Sequence, residues 1–442
     1  MKKGLALCGG GAKGSYEAGC FKAFEELGIH FDIVTGTSIG CLNAAMYCQR
    51  DLDRDYELWQ KLTVNMIIKY GFNFDRLDIL NGIKNNKNSI SFLLQYVTNR
   101  GADIRPLKSL FDQYIKPEKI INSDITFGIV SAQYPSMKGY EVVANKLKAE
   151  EIPSYILASA SCWPVFPICK IGDKQYVDGG YYDNLPINYA LRLGSDEVVA
   201  IDLNIEPIHP EYLNNTFVKY IKPCHSLGGF MKFDHKQIMQ NMQLGYLDTM
   251  KAYNKFIGYR YTFYNESLPK LNLKIFIQRI IELYSNVSRN QLKPSKKSDY
   301  QKSILEFLKE YTSKEMSESD YVIRAVETFA ELFDTSYFEP YHIMDLLNNL
   351  TYKLNDLVYN DKLLEELEGL KTINKKRDFI EKLDNHDLLR YLFEQIKLGN
   401  HVNITILSLI YSTKMKVLVS YLLLEYGMKE GILYDFIEKD SQ

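Results

Sequence analysis

The sequence predicts an α/β fold, with a mainly parallel sheet covered by helices, followed by an all-α carboxy-terminal domain. Short apolar strands alternate with amphipathic helices up to about residue 205, an order that is typical of parallel sheets. Of the 26 glycines, 22 lie before residue 260, and none lies between Gly258 and Gly369. Because glycine is used where strands turn sharply, its loss indicates helices with few tight turns.

The opening of the chain predicts two strands and two helices in β-α-β-α order. Gly4–Cys8 is a short apolar run that ends at glycines, as buried strands do. Apolar residues at helical spacing follow over Tyr16–Leu27. Phe31–Val34 predicts the second strand, and Ile39–Met46 predicts the second helix. This order implies that the two strands are parallel neighbours.

Further elements follow up to Leu203. Helices are predicted over 51–105, apart from an Asn-rich interruption at 81–88, and over 106–114, 152–161 and 187–193. Strands are predicted over 125–132, 140–143, 175–177 and 197–203.

The length of 442 residues predicts two domains, since single hydrophobic cores seldom grow beyond about 250–300 residues. We expect an α/β domain over residues 1–265 and a helical domain over residues 266–442. The change in composition places the boundary between about 260 and 300. Apolar residues recur at helical spacing beyond it, for example at Val322, Val326 and Phe329.

Composition argues against several classes of function. The net charge of -2 gives no basic field, so no nucleic-acid partner is predicted. The seven cysteines are odd in number and lack metal-ligand spacing, which predicts reduced thiols and no metal site. The amino-terminal apolar run stops at Gly9, too early for a secretory signal, and no run is long enough to span a membrane. We therefore expect a cytoplasmic protein, with export by a route that leaves no sequence signal still open.

Gly36-Thr37-Ser38-Ile39-Gly40 follows the second predicted strand and opens the second helix. Gly-x-Ser-x-Gly in this context is the nucleophile elbow pattern, in which a sharp turn exposes the serine hydroxyl. Ser38 could instead simply cap the helix, because serine is a preferred N-cap residue. Both roles are compatible in one residue, so Ser38 remains a candidate nucleophile.

Gly9-Gly10-Gly11-Ala12-Lys13-Gly14 fits two kinds of site. It matches the G-x-G-x-x-G pattern of dinucleotide-binding loops, with Asp32 at a suitable distance for a ribose. However, Asp32 begins its strand, whereas a dinucleotide site needs the acid at the strand's carboxyl end. The same backbone N–H groups could hold the oxyanion of an acyl-transfer reaction. We favour the oxyanion hole because the serine turn ends the neighbouring strand.

A serine nucleophile needs a base. No histidine has a recognisable catalytic context; the seven are His30, His209, His225, His235, His342, His386 and His401. The better candidate is Asp178, which ends a short predicted strand and precedes Gly179 and Gly180. We expect it at the same carboxyl edge of the sheet as Ser38. An ordinary Asp-Gly turn is the alternative.

Together, the three motifs resemble those of the patatin-like phospholipase family, in order and in spacing. The flanking segments match as well: Ala158-Ser159-Ala160-Ser161 with Pro164 and Phe166, and Asp183-Asn184-Leu185-Pro186. The resemblance covers roughly residues 1–260. It implies a three-layer α/β/α domain and carries no information on residues 300–442.

The resemblance also implies a lipid acyl hydrolase with a Ser-Asp dyad. Ser38 would be the nucleophile, Asp178 the general base, and the Gly9–Gly14 segment the oxyanion hole. Neither a metal nor a cofactor is implied. The expected substrates are phospholipids or other fatty-acyl esters, with peripheral contact to a membrane or micelle. The alternative function is a catalytically weak fold that binds lipid or regulates a partner.

Overall fold

The computed structural model describes residues 1–69, 102–266, 273–289, 303–310, 315–360 and 362–433. The chain divides into two compact units, Met1–Tyr253 and Asn254–Gln442. The assignment of domains to 1–265 and 266–442 stays a prediction of the sequence. The predicted interruption at 81–88 lies outside the described residues.

Apolar runs of the first unit form one eight-stranded sheet. Its strands are β1 (Lys3–Leu7), β2 (Ile33–Thr37), β3 (Thr126–Tyr134), β4 (Lys138–Val143), β5 (Cys169–Ile171), β6 (Lys174–Asp178), β7 (Glu197–Ile201) and β8 (Val218–Ile221). The order is β5-β6-β3-β2-β1-β7-β8, with β4 paired to β3. Adjacent strands from β3 to β8 along this order are parallel. The other pairs, β3 with β4, β3 with β6 and β5 with β6, are antiparallel.

Helices cover the sheet of the first unit. They are α1 (Ser15–Glu26), α2 (Ile39–Cys48), α3 (Leu52–Lys61), α4 (Arg105–Tyr114), α5 (Pro117–Ile121), α6 (Ile152–Ser159), α7 (Ile187–Arg192) and α8 (His235–Ala252). Buried on both faces, β1 and β2 have the continuous apolar character of central parallel strands. The predicted α/β class with a mainly parallel sheet is confirmed.

The long helix α8 was not predicted, and its packing explains why. Gly245 interrupts its apolar pattern and lowers its helix propensity by about 1 kcal/mol relative to alanine. In the structure α8 crosses α1 backbone to backbone. A Cβ on Gly245 would lie 1.9 Å from the Tyr16 carbonyl oxygen, and one on Gly19 would lie 1.9 Å from the Met242 carbonyl oxygen. The residues that weaken the helix signal are those that permit the crossing.

The second unit is mainly helical, as predicted. Its helices are α9 (Leu273–Arg289), α10 (Ile304–Leu308), α11 (Glu318–Leu332), α12 (Ile343–Asn355), α13 (Leu363–Gly369), α14 (Ile373–Lys382), α15 (Asn385–Lys397), α16 (Ile404–Thr413) and α17 (Met415–Lys429). It also contains a small sheet that the expected all-α domain lacks, formed by β9 (Phe256–Ile257), β10 (Thr262–Tyr264) and β11 (Pro340–Tyr341). Strands of two or three residues are too short to leave an alternating pattern in the sequence.

A buried carboxylate holds the turn between β9 and β10. Glu327 of α11 accepts hydrogen bonds from the N–H groups of Tyr259, Arg260 and Tyr261, at 2.6, 3.0 and 3.1 Å. Its other oxygen pairs with the guanidinium of Arg324, which is also buried. The charge is therefore compensated on all sides, as burial of an ion requires.

None of the described helices is both long enough and apolar enough to cross a membrane.

We expect Gly245→Ala to destabilise the protein, because its Cβ would be forced into the backbone of α1. Overpacking of this kind costs about 1–3 kcal/mol. Thermal or urea unfolding of the whole chain would measure the loss. Gly229→Ala is the matched control, since its Cβ would meet nothing closer than Lys232 Cβ at 3.8 Å. Equal stability of the two variants would contradict the close crossing of α1 and α8.

Candidate active site

Ser38 occupies a tight corner between β2 and α2. Its φ of 54° and ψ of −122° are strained for a residue that carries a side chain. The corner closes on two glycines. A Cβ on Gly36 would lie 2.4 Å from the Gly40 carbonyl oxygen, and one on Gly40 would lie 2.7 Å from the Cys8 carbonyl oxygen. The glycines of Gly-x-Ser-x-Gly are therefore required by backbone contact.

The long strand β3 brings Asp178 to this corner. Val130 pairs with Thr37 of β2, and the next residue, Ser131, pairs with Asp178 of β6. Because β4 pairs with both Val130 and Ser131, it occupies the other edge of β3. Strands β2 and β6 thus lie end to end along one edge and run towards each other. Their carboxyl ends meet between Val130 and Ser131, which we call the β2–β6 junction.

This geometry corrects the expected reason for the proximity of Ser38 and Asp178. The sequence predicts both residues at the same carboxyl edge of a mainly parallel sheet, where the ends of parallel strands meet. Strand β6 is in fact antiparallel to β3, so parallel strand ends do not bring them together. Instead, β3 extends beyond β2, and β6 returns along the vacant part of its edge. At the junction, a Cβ on Gly179 would lie 2.3 Å from the Val130 carbonyl oxygen, so only glycine fits after the aspartate.

The Asp178 carboxylate is buried and hydrogen-bonded. Its Oδ1 accepts from the Gly180 N–H at 2.8 Å, and both Asp178 and Ser38 line the same cavity. Burial raises the pKa of Asp178 from its ordinary value of 3.8 to about 6, while the Gly180 N–H and, to a smaller extent, the nearby Ser38 hydroxyl lower it in part. The carboxylate is therefore ionised near neutral pH and yet basic enough to accept a proton.

Three N–H groups of the glycine-rich loop donate to backbone carbonyls of the protein. The Gly9 N–H donates to the Asn184 carbonyl at 3.0 Å, and the Ala12 N–H donates to the Phe230 carbonyl at 2.6 Å. The Lys13 N–H donates to the Gly10 carbonyl at 3.3 Å.

The N–H groups of Gly10 and Gly11 have no hydrogen-bond partner among the described residues. Both residues line the same cavity as Ser38. Gly10 and Gly11 therefore retain unpaired backbone donors beside the hydroxyl.

Two loop residues serve other purposes. The Lys13 Nζ lies 3.5 Å from Asn204 Oδ1. Gly14 packs against Ile39, since a Cβ there would lie 2.7 Å from Ile39 Cγ1.

Asp32 lies at the opposite end of its strand from the loop. It accepts a hydrogen bond from the Lys3 N–H at 2.8 Å, at the amino end of β1. An acid in that position cannot reach a ribose bound at the carboxyl end, where the glycine loop lies. The geometry disfavours a dinucleotide site.

Two buried side chains that no sequence motif predicts, Glu17 and Asn43, support the loop. Glu17, buried in α1, accepts from the Cys8 N–H at 2.8 Å and from Asn43 Nδ2 at 2.7 Å. Asn43 also donates to the Gly14 carbonyl at 3.0 Å, so the pair holds both ends of the loop. Burial raises the pKa of Glu17 well above its ordinary value. The available signal was an acid on the apolar face of a predicted helix.

Asn184 was noted only as part of a flanking segment, but it contacts the loop directly. Its Nδ2 donates to the Gly9 carbonyl at 3.1 Å, while its own carbonyl accepts from the Gly9 N–H. A Cβ on Gly9 would lie 2.3 Å from Asn184 Oδ1. Asn184 therefore packs directly against Gly9, where any side chain larger than hydrogen would clash with it.

An apolar cavity of about 380 Å³ opens above Ser38, a size suited to a small ligand. Its walls carry aliphatic and aromatic side chains, and its floor carries the polar groups already described. The apolar walls include Leu42, Ile67, Leu107, Phe111, Val165, Phe166, Phe230, Met231 and Phe233. None of the residues known to line it is a histidine, within the described parts of the chain. His209 instead lies beside Asp183 and Glu211, at 3.6 and 3.1 Å.

Comparison with known proteins identifies related sequences and weakly similar structures. "Lysophospholipase nte1" of Aspergillus terreus is 31% identical over 201 residues, and that of Emericella nidulans is 32% identical over 205. Each match covers 45% of this chain, and this chain spans only 12% of the length of each relative. VipD from Legionella pneumophila has a TM-score of 0.39 at 15% identity, covering 94% of this chain and 91% of VipD. A structural similarity this weak carries no argument about function.

The similarity to a known family lies in the sequence of the first unit. Residues 5–191 match the patatin-like phospholipase family. The matched range contains the glycine loop, the Ser38 corner and the Asp178 turn. Residues 5–191 of this chain are therefore similar in sequence to the patatin-like phospholipase family.

Proposed function

We propose that this protein is a lipid acyl hydrolase that uses Ser38 as nucleophile and Asp178 as general base. The observation that carries the proposal is that Ser38 and the buried Asp178 carboxylate, whose pKa is about 6, line the same cavity at the β2–β6 junction. A hydroxyl beside such a carboxylate can lose its proton as it attacks. The family and the names of the relatives support the same reaction.

In the first half of the proposed reaction, Ser38 Oγ attacks the ester carbonyl carbon and its proton passes to Asp178. The oxyanion that forms accepts hydrogen bonds from the Gly10 and Gly11 N–H groups. We choose these two donors from the predicted Gly9–Gly14 segment because the N–H groups of Gly9, Ala12 and Lys13 already donate to carbonyl groups of the protein. The ester C–O bond then breaks, the alcohol leaves with the proton from Asp178, and the acyl group remains on Ser38.

In the second half, water replaces the alcohol. Asp178, again ionised, takes a proton from the attacking water, and the same two N–H groups hold the second oxyanion. The acyl–Ser38 bond breaks, Ser38 recovers its proton, and a carboxylic acid leaves. No group beyond these residues, substrate and water is needed to balance the reaction.

The proposed substrates are phospholipids or lysophospholipids. The cavity walls are aliphatic and aromatic, which suits a fatty-acyl chain. Tyr181, which is 45% exposed and lines the cavity, lies at its rim beside the half-exposed Tyr182. We propose that this rim contacts the surface of a membrane or micelle when a lipid enters.

We expect a fluorophosphonate probe to label Ser38, because such probes react with activated serines. Ser38→Ala should abolish labelling. Asp178→Asn should slow it by about 10²–10⁴-fold, the usual contribution of a general base. Mass spectrometry of the labelled peptides would locate the adduct.

His209→Ala is the control, since a histidine base is the main alternative to Asp178. Its labelling rate should equal that of the wild type. Labelling at another serine, or an unchanged rate in Asp178→Asn, would contradict the proposed dyad. A wild-type protein that resists labelling altogether would favour the lipid-binding alternative.

We expect hydrolysis to be lost as the pH falls through about 6. The pKa of Asp178 is raised to about 6, so the carboxylate is protonated, and cannot act as base, below that pH. The pH dependence of kcat/KM on a soluble ester would show a half-maximum there. A midpoint near 4, the ordinary range of an aspartate, would contradict a buried base.

Stability provides the control for this pH profile. A raised pKa means that burial of the ionised carboxylate costs stability above pH 6 and that the cost vanishes below the unfolded value of 3.8. Asp178→Asn should therefore be no less stable than the wild type at neutral pH while it loses activity. A large drop in its thermal midpoint would instead attribute lost activity to unfolding.

We expect Leu107→Trp to shift the preference towards shorter acyl chains, because it narrows the apolar cavity. Each methylene of the acyl chain that is buried in the cavity should contribute about 0.8 kcal/mol, which raises kcat/KM roughly fourfold. A series of p-nitrophenyl esters of increasing chain length would show the length beyond which kcat/KM no longer rises. Lys108→Trp, on the exposed side of the same helix, is the control and should not shift it. A shift in both variants would contradict the assignment of the cavity to the acyl chain.

A further inference from the structure

Ser159, the last residue of α6, makes an unusual pair of hydrogen bonds. The side chain is fully buried. Its Oγ accepts from the Ser38 backbone N–H at 2.9 Å and donates to the Val130 carbonyl at 2.6 Å. One hydroxyl therefore links the candidate nucleophile to the central strand β3.

The position of this hydroxyl is the β2–β6 junction. Strand β2 pairs with β3 as far as Thr37 opposite Val130, and the chain then turns away at Ser38. The Ser38 N–H consequently leaves the ladder. Ser159 Oγ stands between that N–H and the Val130 carbonyl, and replaces the missing ladder bond with a two-step connection.

The strained backbone of Ser38 makes this connection important. At φ 54° the residue is held in a conformation that it would leave if its surroundings allowed. The direction in which Oγ points depends on that backbone conformation. Without the hydrogen bond to its N–H, the Ser38 backbone could move to a less strained conformation, and the hydroxyl would then point elsewhere.

The same turn also supports the base. The Asp178 N–H donates to the Ser161 carbonyl at 2.9 Å, two residues after Ser159. Ser159 and Ser161 thus hold the backbones of Ser38 and Asp178 from one short segment. Ser159 itself is absent from the residues that line the described cavity, so it acts through Ser38 rather than on a ligand.

We propose that Ser159 is a positioning residue that fixes the orientation of the Ser38 hydroxyl relative to Asp178. The proposal deepens the proposed function and rests on it where kinetics are concerned. Its structural part, that the Ser159 hydroxyl restrains the Ser38 corner, is independent of the reaction.

The first test is kinetic. Ser159→Ala should lower kcat by about 10- to 100-fold, because a small displacement of a reacting group has that effect, and should change KM by less than about twofold. It should slow fluorophosphonate labelling of Ser38 by a similar factor. Ser159→Cys, which retains a weak donor and acceptor of nearly the same size, should be intermediate. A wild-type kcat in Ser159→Ala, or a loss confined to KM, would overturn the proposal.

Ser123→Ala is the matched control. Ser123 Oγ likewise accepts from a backbone N–H, that of Ile125 at 3.2 Å, and donates to a carbonyl, that of Cys48 at 2.8 Å. It lies before the amino end of β3, away from the β2–β6 junction. Its removal should affect stability while kcat of the folded protein stays unchanged. Equal kcat losses in the two alanine variants would reduce Ser159 to a structural role and overturn the proposal.

The second test does not depend on activity. Amide hydrogen exchange, followed by mass spectrometry of peptides that contain Ser38, should be faster in Ser159→Ala than in the wild type and unchanged in Ser123→Ala. Exchange that stays at the wild-type rate in Ser159→Ala would overturn the proposal even if kcat fell.

The two tests separate this inference from the proposed function. A wild-type protein that is not labelled, with faster exchange in Ser159→Ala, would reject the hydrolase and retain the restraint. If the wild type is labelled but exchange and kcat are unchanged in Ser159→Ala, the hydrolase is retained and the restraint by Ser159 is rejected.

Discussion

The length of β3 relative to β2 is the constraint on which the site depends. Strand β3 has nine residues and β2 has five, so part of one edge of β3 is open to another strand. Strand β6 fills that part from the opposite direction, which places Asp178 next to Thr37. Ser38, which follows Thr37, and Asp178 are 140 positions apart in the sequence and thereby come together beside one step of the β3 ladder.

The candidate site combines a buried carboxylate with a glycine loop that is held by hydrogen bonds. Asp178 is buried beside hydrogen-bond donors, which leaves its pKa near 6 rather than at an extreme. The glycine loop is held at both ends by Glu17 and Asn43, and at Gly9 and Ala12 by carbonyls from distant segments. Because those contacts occupy the neighbouring amides, only a short part of the loop is left to bind an anion.

Much of the first unit could be predicted from its sequence, because central strands and amphipathic helices leave periodic apolar patterns. The helices and strands that were not predicted lack such a pattern. Helix α8 carries Gly245 at its crossing with α1, and β8 (Val218–Ile221) is only four residues long with an exposed lysine within it. In both cases the element is stabilised by packing against another part of the chain. The local sequence contains no information about that partner.

The chemical groups of the candidate site can be predicted from the amino-acid sequence. Ser38, Asp178 and the glycine loop stand out because tight turns restrict which residues can occupy them. The unpaired loop amides and the path by which the aspartate reaches the serine became visible in the three-dimensional structure alone. The hydrogen bond from the Ser38 N–H to Ser159 was likewise visible there alone, since that serine looks ordinary in the sequence. Hydrogen bonds between distant segments depend on distances and directions that a linear pattern does not contain.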